Sequence, residues 1–242
     1  MKPDRIRLGV NIDHIATLRN ARAEADPSLL EMAFIVQEAG AHSITVHLRE
    51  DRRHIQDADL PELKKHMKIP INLEMALTRE MLDNALAIAP KSVCIVPERR
   101  NEITTEGGLN AKTNIKKLRE YTSILQNAGI TVFPFINHDD DQLQVCADCG
   151  VDGVEIHTGH YARSFFEERA FRRELTLIHS AAEFCLSNNL EFHAGHGLNY
   201  QNIEAICQIE NLVEVNIGHA IISHSLKVGL FQAVKEMKGL LQ

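Results

Sequence analysis

The stretch Ile44-Thr45-Val46-His47-Leu48-Arg49-Glu50-Asp51-Arg52-Arg53-His54 decides how this chain reads. Its first part is apolar and β-branched, as a buried strand is. Its second part is the densest cluster of ionisable groups in the sequence. An apolar run that ends abruptly in such a cluster delivers chemistry to one edge of a sheet, and the rest of the chain repeats the pattern.

Upstream, Leu8 to Asp13 is a short strand followed by His14. Asp26-Pro27 opens a helix, with Asp as N-cap and Pro at the first helical position, and Gly40 stops it. Downstream of the Ser43–Leu48 strand, the sequence predicts a helix from Asp59 to Met67 and a strand from Ile71 to Met75. A helix capped by Thr78 runs to Ala89, and Ser92–Val96 is the next strand. Ala111–Ala128 is helical, Ile130–Ile136 extended, and Asp139 opens a helix to Asp148. Val151–His157 is a strand, followed by a helical region from Phe166 to Ser187 with room for an extra helix. Leu190–His193 is a strand, Asn199–Gln208 a helix, Val213–Ile217 the last strand and Ser223–Leu241 the closing helix.

Strand and helix thus alternate eight times in 242 residues. The strands are short, near-continuous and β-branched, as strands covered on both faces require. Alternation implies a parallel sheet with right-handed crossovers, and eight units at this length imply an α/β fold of the (β/α)8 TIM-barrel type with one or more extra helices. We expect a single domain over residues 1–242, without a linker. A doubly wound open sheet competes less well. No G-x-G-x-x-G follows the first strand, and polar residues follow nearly every strand instead of clustering at one switch point.

Composition narrows the function. Hydrophobic residues make up 44% and charged residues 24%, as in a soluble globular domain. A net charge of −7 with 5% aromatic residues and no Trp argues against a nucleic-acid partner. There is no apolar run of membrane-spanning length and no signal-peptide pattern at the N-terminus. Five cysteines, an odd number in a chain too long to need staples, suit a reduced, cytoplasmic setting. Cys146-Ala-Asp-Cys149 is read as two small residues on a helix, because no second pair completes a zinc site.

In a barrel the C-terminal strand ends converge on one site. They carry Asn11, Asp13 and His14; His47 and Arg49; Asn72 and Glu74; Glu98; Asn137; Glu155 and His157; His193 and His196; Asn216 and His219. Gly195-His-Gly197 and Gly218-His219 follow the seventh and eighth strands, where barrels bind phosphate on backbone N–H groups and helix N-termini. Arg22, Arg49 and His54 are candidates for a second anion site, whereas Arg52 and Arg53 read as a solvated charge run. His47, Glu74, Glu155 and His196 supply acid–base capacity, with burial expected to raise the carboxyls. No lysine lies in or immediately after a strand, so an enzyme-borne Schiff base is excluded and any imine must use a substrate amine. Asp13, His14, His47, Glu74 and His157 carry metal-ligating atoms, but no H-x-H or H-E-x-x-H spacing focuses them, and we expect no metal.

Seven longer motifs carry a resemblance. Gly9–Arg22, Ile44–Ile55, Asn72–Ala76, Thr104–Leu109, Glu155–Gly159, Ala194–Leu198 and Asn216–Ile222 together resemble the pyridoxine 5′-phosphate synthase family, from about Leu8 to the last helix. The resemblance implies a ring-forming transferase of vitamin B6 biosynthesis. Its two phosphorylated substrates are 1-deoxy-D-xylulose 5-phosphate and 3-amino-2-oxopropyl phosphate, and it releases phosphate and water. It implies His47 and Glu74 as general bases, His196 as general acid, and Glu155 as the group that stabilises transition-state charge. It places Asn11, Arg22, Gly197, Gly218 and His219 around the aminoketone phosphate, and Asp13, His14, Arg49, His54 and Thr104 around the deoxyxylulose phosphate. Thr104–Leu109 resembles a closing lid. It further implies a homo-octamer with no cofactor. A metal-assisted phosphosugar epimerase or aldolase, and a non-catalytic phosphate-ligand sensor, are the competing readings.

Overall fold

The computed structural model describes residues 6–98 and 107–241. Eight strands close into a barrel in sequence order: β1 (Arg7–Asn11), β2 (Ser43–His47), β3 (Ile71–Ala76), β4 (Ser92–Val96), β5 (Thr131–Ile136), β6 (Gly153–His157), β7 (Glu191–Gly195) and β8 (Leu212–Ile217). Every pairing is parallel, and β8 returns to β1 with Leu8 opposite Val215. The helices are α1 (Asp13–Asn20), α2 (Leu29–Glu38), α3 (Asp59–His66), α4 (Arg79–Ile88), α5 (Ala111–Asn127) and α6 (Asp140–Asp148). They continue as α7 (Gly159–Ser164), α8 (Glu168–Ser187), α9 (Ile203–Cys207), α10 (His219–Val228) and α11 (Leu230–Gly239).

The strands are covered on both faces, as expected, but only the outward face is apolar throughout. Leu8 and Val10, Ile44 and Val46, Leu73 and Met75, Val93 and Ile95, Val154 and Ile156 point outward into one apolar layer shared with Ala33, Val36, Leu63, Met81, Leu118, Leu143, Ile178 and Val234 of the helices. The residues between them point inward and are mostly polar or glycine. Contacts across the barrel prove their direction: Ser43 of β2 donates to Glu214 of β8 at 3.1 Å, and Asn216 of β8 donates to Glu155 of β6 at 2.8 Å. Cys94, Val96 and Phe135 form a separate small apolar cluster inside. Hydrophobic stabilisation, roughly 25 cal/mol for each Å² of apolar surface buried, is therefore concentrated in a ring around the barrel, and its interior is left for polar groups.

Three helices exceed the minimal barrel. α1, α7 and α10 each begin two residues after β1, β6 and β8 end, so all three rim the C-terminal mouth. The sequence left room for an extra helix within Phe166–Ser187, but that span is the single helix α8, and the extra helix α7 precedes it. The predicted closing helix is two helices because Gly229, at φ 81°, turns the chain between α10 and α11. The N-cap of α2 is Ser28, not Asp26: its hydroxyl accepts from the Glu31 N–H at 3.3 Å, the Ser-x-x-Glu spacing of a capping box. The predicted Asn199–Gln208 helix shortens to α9, because Asn199 Oδ1 accepts from the Gln201 and Asn202 N–H groups and holds a turn there.

Candidate active site

His47 is the pivot of the mouth. Asp13 holds it in place: Asp13 Oδ1 accepts from the His47 backbone N–H at 2.9 Å, while Asp13 Oδ2 accepts from Asn11 Nδ2 at 2.8 Å. The end of β1 thereby fixes the end of β2. The His47 ring lies between two carboxylates, with Nε2 2.8 Å from Glu98 Oε1 and Nδ1 3.6 Å from Glu74 Oε2. Burial works to raise the Glu98 pKa, but the bond and charge of His47, the Glu50 N–H and Arg49 outweigh it and hold Glu98 below the ordinary range. Glu98 is therefore ionised and can only accept. His47 Nε2 then donates to it, and in the neutral form of the ring the lone pair lies on Nδ1, on the Glu74 side. Glu74 is pushed well above the usual carboxyl range, first by burial and then by the charges of Asp13 and Glu155. His47 Nδ1 thus faces a carboxyl that is harder to ionise than an ordinary one.

The charge cluster after β2 divides into two roles. Arg49 is buried, 4% exposed, with its Nε 3.3 Å from Asp51. His54 lies 5.8 Å from the His47 ring and accepts from the Ile55 N–H on Nδ1 at 2.9 Å, and burial lowers its pKa. Arg52 instead staples the loop. It donates to the Arg49 and Glu50 carbonyls and pairs with Asp57 and Glu80. Arg53 pairs with Asp51. These arginines are structural clasps, more engaged than a solvated run.

Glu155 faces the same space from β6. It is 3% exposed, and burial is the main reason its pKa rises to about 7. Beside it His157 and His196 lie 5.0 Å apart. His196 adopts φ 74°, a left-handed conformation unusual for a non-glycine residue and a mark of functional sites. Thr158 holds this turn by donating to the Gly195 and His196 carbonyls, both at 2.7 Å. Gly197 follows at φ 80°, with Ala162 so close that a Cβ there would stand 2.7 Å from it. Burial, then Arg163, lowers the His196 pKa. His157 is lowered to about 3 by burial and the surrounding histidines.

The anion candidates sit on the rim. Gly218 packs on Asn11, where an added Cβ would come within 3.0 Å of the Asn11 side chain, and His219 begins α10. The His219 and His14 rings are 5.2 Å apart, and His14 Nδ1 is buried without a partner among the described residues. The first turn of α10 brings its backbone N–H groups to this side of the mouth, whereas in α1 the Asp13 and Ile15 N–H groups already bond Asn11 Oδ1 and the Ile12 carbonyl. Arg22 lies on the exposed turn after α1, 3.5 Å from Glu24. Thr104 lies outside the described residues, as does the 104–106 part of the expected lid. Gly108, at its far end, donates to Asn137 Oδ1 at 3.2 Å.

The structure brings together Asn11, Asp13, His47, Glu74, Glu155, His157 and His196. Two strand-end residues belong elsewhere: Asn72 accepts from Ser92 in a lower layer, and the His193 ring stacks on Phe133 and bonds Glu191 near the barrel's base. Sequence reasoning noted Glu98 without giving it a role. The signal was there, since it lies two residues beyond the inward Val96. Asp13, His47 and His54 hold ligand atoms within 4.8 Å of one another. Asp13 accepts there from the His47 N–H and Asn11, His47 Nε2 meets Glu98, and His54 Nδ1 accepts from the Ile55 N–H.

The fold is that of a (β/α)8 barrel, and its mouth gathers imidazoles and carboxyls of the kind that proton-transferring enzymes use. The family model described as pyridoxal phosphate biosynthesis protein PdxJ matches residues 8–242, and the chain belongs to that family. A pyridoxine 5′-phosphate synthase from Sulfurihydrogenibium sp. (strain YO3AOP1) is 49% identical over 96% of each chain. One from Neisseria meningitidis serogroup A (strain Z2491) is 52% identical over 96% of this chain and 95% of its own. Among solved structures, KGPDC from Streptococcus mutans superposes with a TM-score of 0.67 at 10% identity, covering 98% of each chain. The tryptophan synthase α-subunit of Pyrococcus furiosus gives 0.65 at 15% identity, over 98% of this chain and 99% of its own. These two likenesses concern the fold alone.

Proposed function

We propose that the chain catalyses the condensation of 1-deoxy-D-xylulose 5-phosphate with 3-amino-2-oxopropyl phosphate to pyridoxine 5′-phosphate, releasing phosphate and water. The observation that carries this reading is the His47 imidazole set between Glu98 and Glu74, with Glu155 on β6 close enough for its charge to act on Glu74. The amine of the aminoketone attacks the sugar ketone, so no enzyme lysine is needed. Imine formation, phosphate elimination, ring closure and dehydration are then successive proton transfers. His47 Nδ1 and Glu74 remove protons. Once deprotonated, a carboxyl as buried as Glu74 is a stronger base than a solvated one. His196 gives protons, and its lowered pKa makes its imidazolium a stronger acid than an ordinary one. Glu155 balances cationic charge as it develops.

Asn11, Arg22, Gly197, Gly218 and His219 receive the aminoketone phosphate, and Asp13, His14, Arg49, His54 and Thr104 the deoxyxylulose phosphate. The enzyme works as a homo-octamer in the cytoplasm, without metal or organic cofactor. Apolar side chains exposed on the rim helices, Leu18 at 59% and Leu226 at 82%, suit burial between subunits. No helix among the described residues is long and apolar enough to cross a membrane.

Incubation with both substrates, following ring absorbance and phosphate release, tests the reaction. Turnover without added metal and undiminished by chelation is expected. Loss on chelation with recovery on adding a divalent ion would replace this reading by a metal-assisted epimerase or aldolase. Light scattering on the purified protein tests the octamer.

A further inference from the structure

Four inward side chains from the even-numbered strands form one layer of the barrel: Thr45 of β2, Cys94 of β4, Glu155 of β6 and Asn216 of β8. Such layers of four are usually filled by bulky aliphatic residues. Here they form a bonded chain. Thr45 Oγ1 donates to Asn216 Oδ1 at 2.8 Å, Asn216 Nδ2 donates to Glu155 Oε2 at 2.8 Å, and the Cys94 thiol donates to the same oxygen at 3.7 Å. Thr45 is fully buried, and Asn216 is 6% exposed.

Space has been cleared for this chain. A Cβ on Gly9 would stand 2.0 Å from Asn216 Oδ1, and a Cβ on Gly195 would stand 2.0 Å from Glu155 Oε1. Both protein donors converge on Oε2. Oε1 lies over Gly195, the last residue of β7, on the mouth side of the layer. The amide has one productive orientation while Glu155 is ionised, because a reversed amide would set oxygen against oxygen. The Thr45 hydroxyl, donating to Oδ1, rewards that orientation. A threonine hydroxyl can both give and take a hydrogen bond, so the chain also stays bonded when Glu155 carries a proton.

We propose that Asn216, oriented by Thr45, is a positioning residue that fixes Glu155 by Oε2 and favours its ionised form, leaving Oε1 for the reacting molecule. The proposal rests on the reading of Glu155 as part of the catalytic machinery. The other ionisable groups that act on Glu155 are His193 of β7, Glu214 of β8, Glu74 of β3 and the Cys94 thiol. All remain in the variants below, so a change can be assigned to the amide. Removing a hydrogen bond to a charged group raises the carboxyl's pKa by about one to two pH units.

The test uses two readouts on folded Asn216→Ala, Thr45→Val and Thr45→Ser. One is the pH profile of turnover. The other is the infrared titration of the Glu155 carboxyl, taken as a difference against Glu155→Gln, which needs no substrate. Asn216→Ala is expected to move both the Glu155 titration and the corresponding limb of the rate profile upward by about one to two pH units. Thr45→Val is expected to move them in the same direction by less, and Thr45→Ser to restore them. An unmoved infrared titration in Asn216→Ala would overturn the proposal. If that variant does not fold, an unmoved titration in Thr45→Val would do so. A moved titration with an unmoved rate profile would support the positioning and remove Glu155 from the machinery instead.

Discussion

The two ends of the barrel interior are built from the same residue types and behave in opposite ways. At the base, Arg7 bridges Glu214 at 2.8 Å and Glu191, Ser43 donates to Glu214, and His193 bonds Glu191 at 3.0 Å. Glu191 consequently falls to about 2, chiefly through the His193 bond, which with Arg7 outweighs the opposing effect of burial. At the mouth, Glu74 and Glu155 have no arginine partner among the described residues, and both rise. His157 Nε2 and His14 Nδ1 are buried and unpaired among the described residues, and His196 holds a left-handed backbone. Burial is common to both ends. Pairing separates them: charge is neutralised where the barrel needs only stability, and left unbalanced where protons must move.

The largest effect that sharpens this contrast is catalytic. His47→Ala, Glu74→Gln and His196→Ala are each expected to cut turnover roughly a hundredfold or more. Near-normal turnover in any one of them would remove that residue from its role. Next comes stability. Glu155 titrates at about 7 in the folded chain and near 4.5 when unfolded, so the native state binds more protons between these values. Its contribution to stability therefore falls as pH rises through that window and is flat above it. Glu155→Gln removes the penalty. It should stabilise the fold at pH 8 by about 2 kcal/mol, with the gain shrinking toward pH 4, while turnover drops. Chemical denaturation at the two pH values checks this, and equal stability at both would break the contrast.

Gly195→Ala is expected to lower turnover roughly tenfold by displacing the Glu155 carboxylate, on the order of 1.4 kcal/mol, with a rotated Glu155 visible in a crystal structure of the variant. Arg7→Ala should have the smallest effect. It leaves Glu214 short of a partner and is expected to cost about 1 kcal/mol, discounted because Arg7 is partly exposed, or a few degrees in Tm, with turnover unchanged. A large activity loss there would mean that the two ends are coupled.

Much of this was legible in the sequence. A two-residue period sorts each strand into an outward apolar set and an inward set, and His47, Glu74 and Glu155 all fall inward near a strand's end. The period does not give height. His193 has the same inward parity and pairs in register with Glu155, yet its ring stacks on Phe133 and turns toward Glu191. The stagger of neighbouring strands, which sets height, is a property of closure and not of any one segment. Glu98 acquires its role only when β4 ends beside β2's product of folding, the His47 ring, and no local pattern announces that. The extra helices α1 and α10 were hidden because they start where loops were expected, on residues chosen for the mouth and not for helix propensity.

The pairing of Leu8 with Val215 has a consequence for biosynthesis of the chain itself. The cylinder is a ring of staves, and its first and last staves meet. Until Leu212–Ile217 has cleared the ribosome, β1 has an open edge and Asn216 is absent from the layer that seats Glu155. A nascent chain therefore carries His47 and Glu74 long before it carries a working pocket. Reactive groups and aggregation-prone strand edges are both exposed during that interval. Stalled synthesis just before β8 should yield a product that chaperones retain and that never turns over substrate.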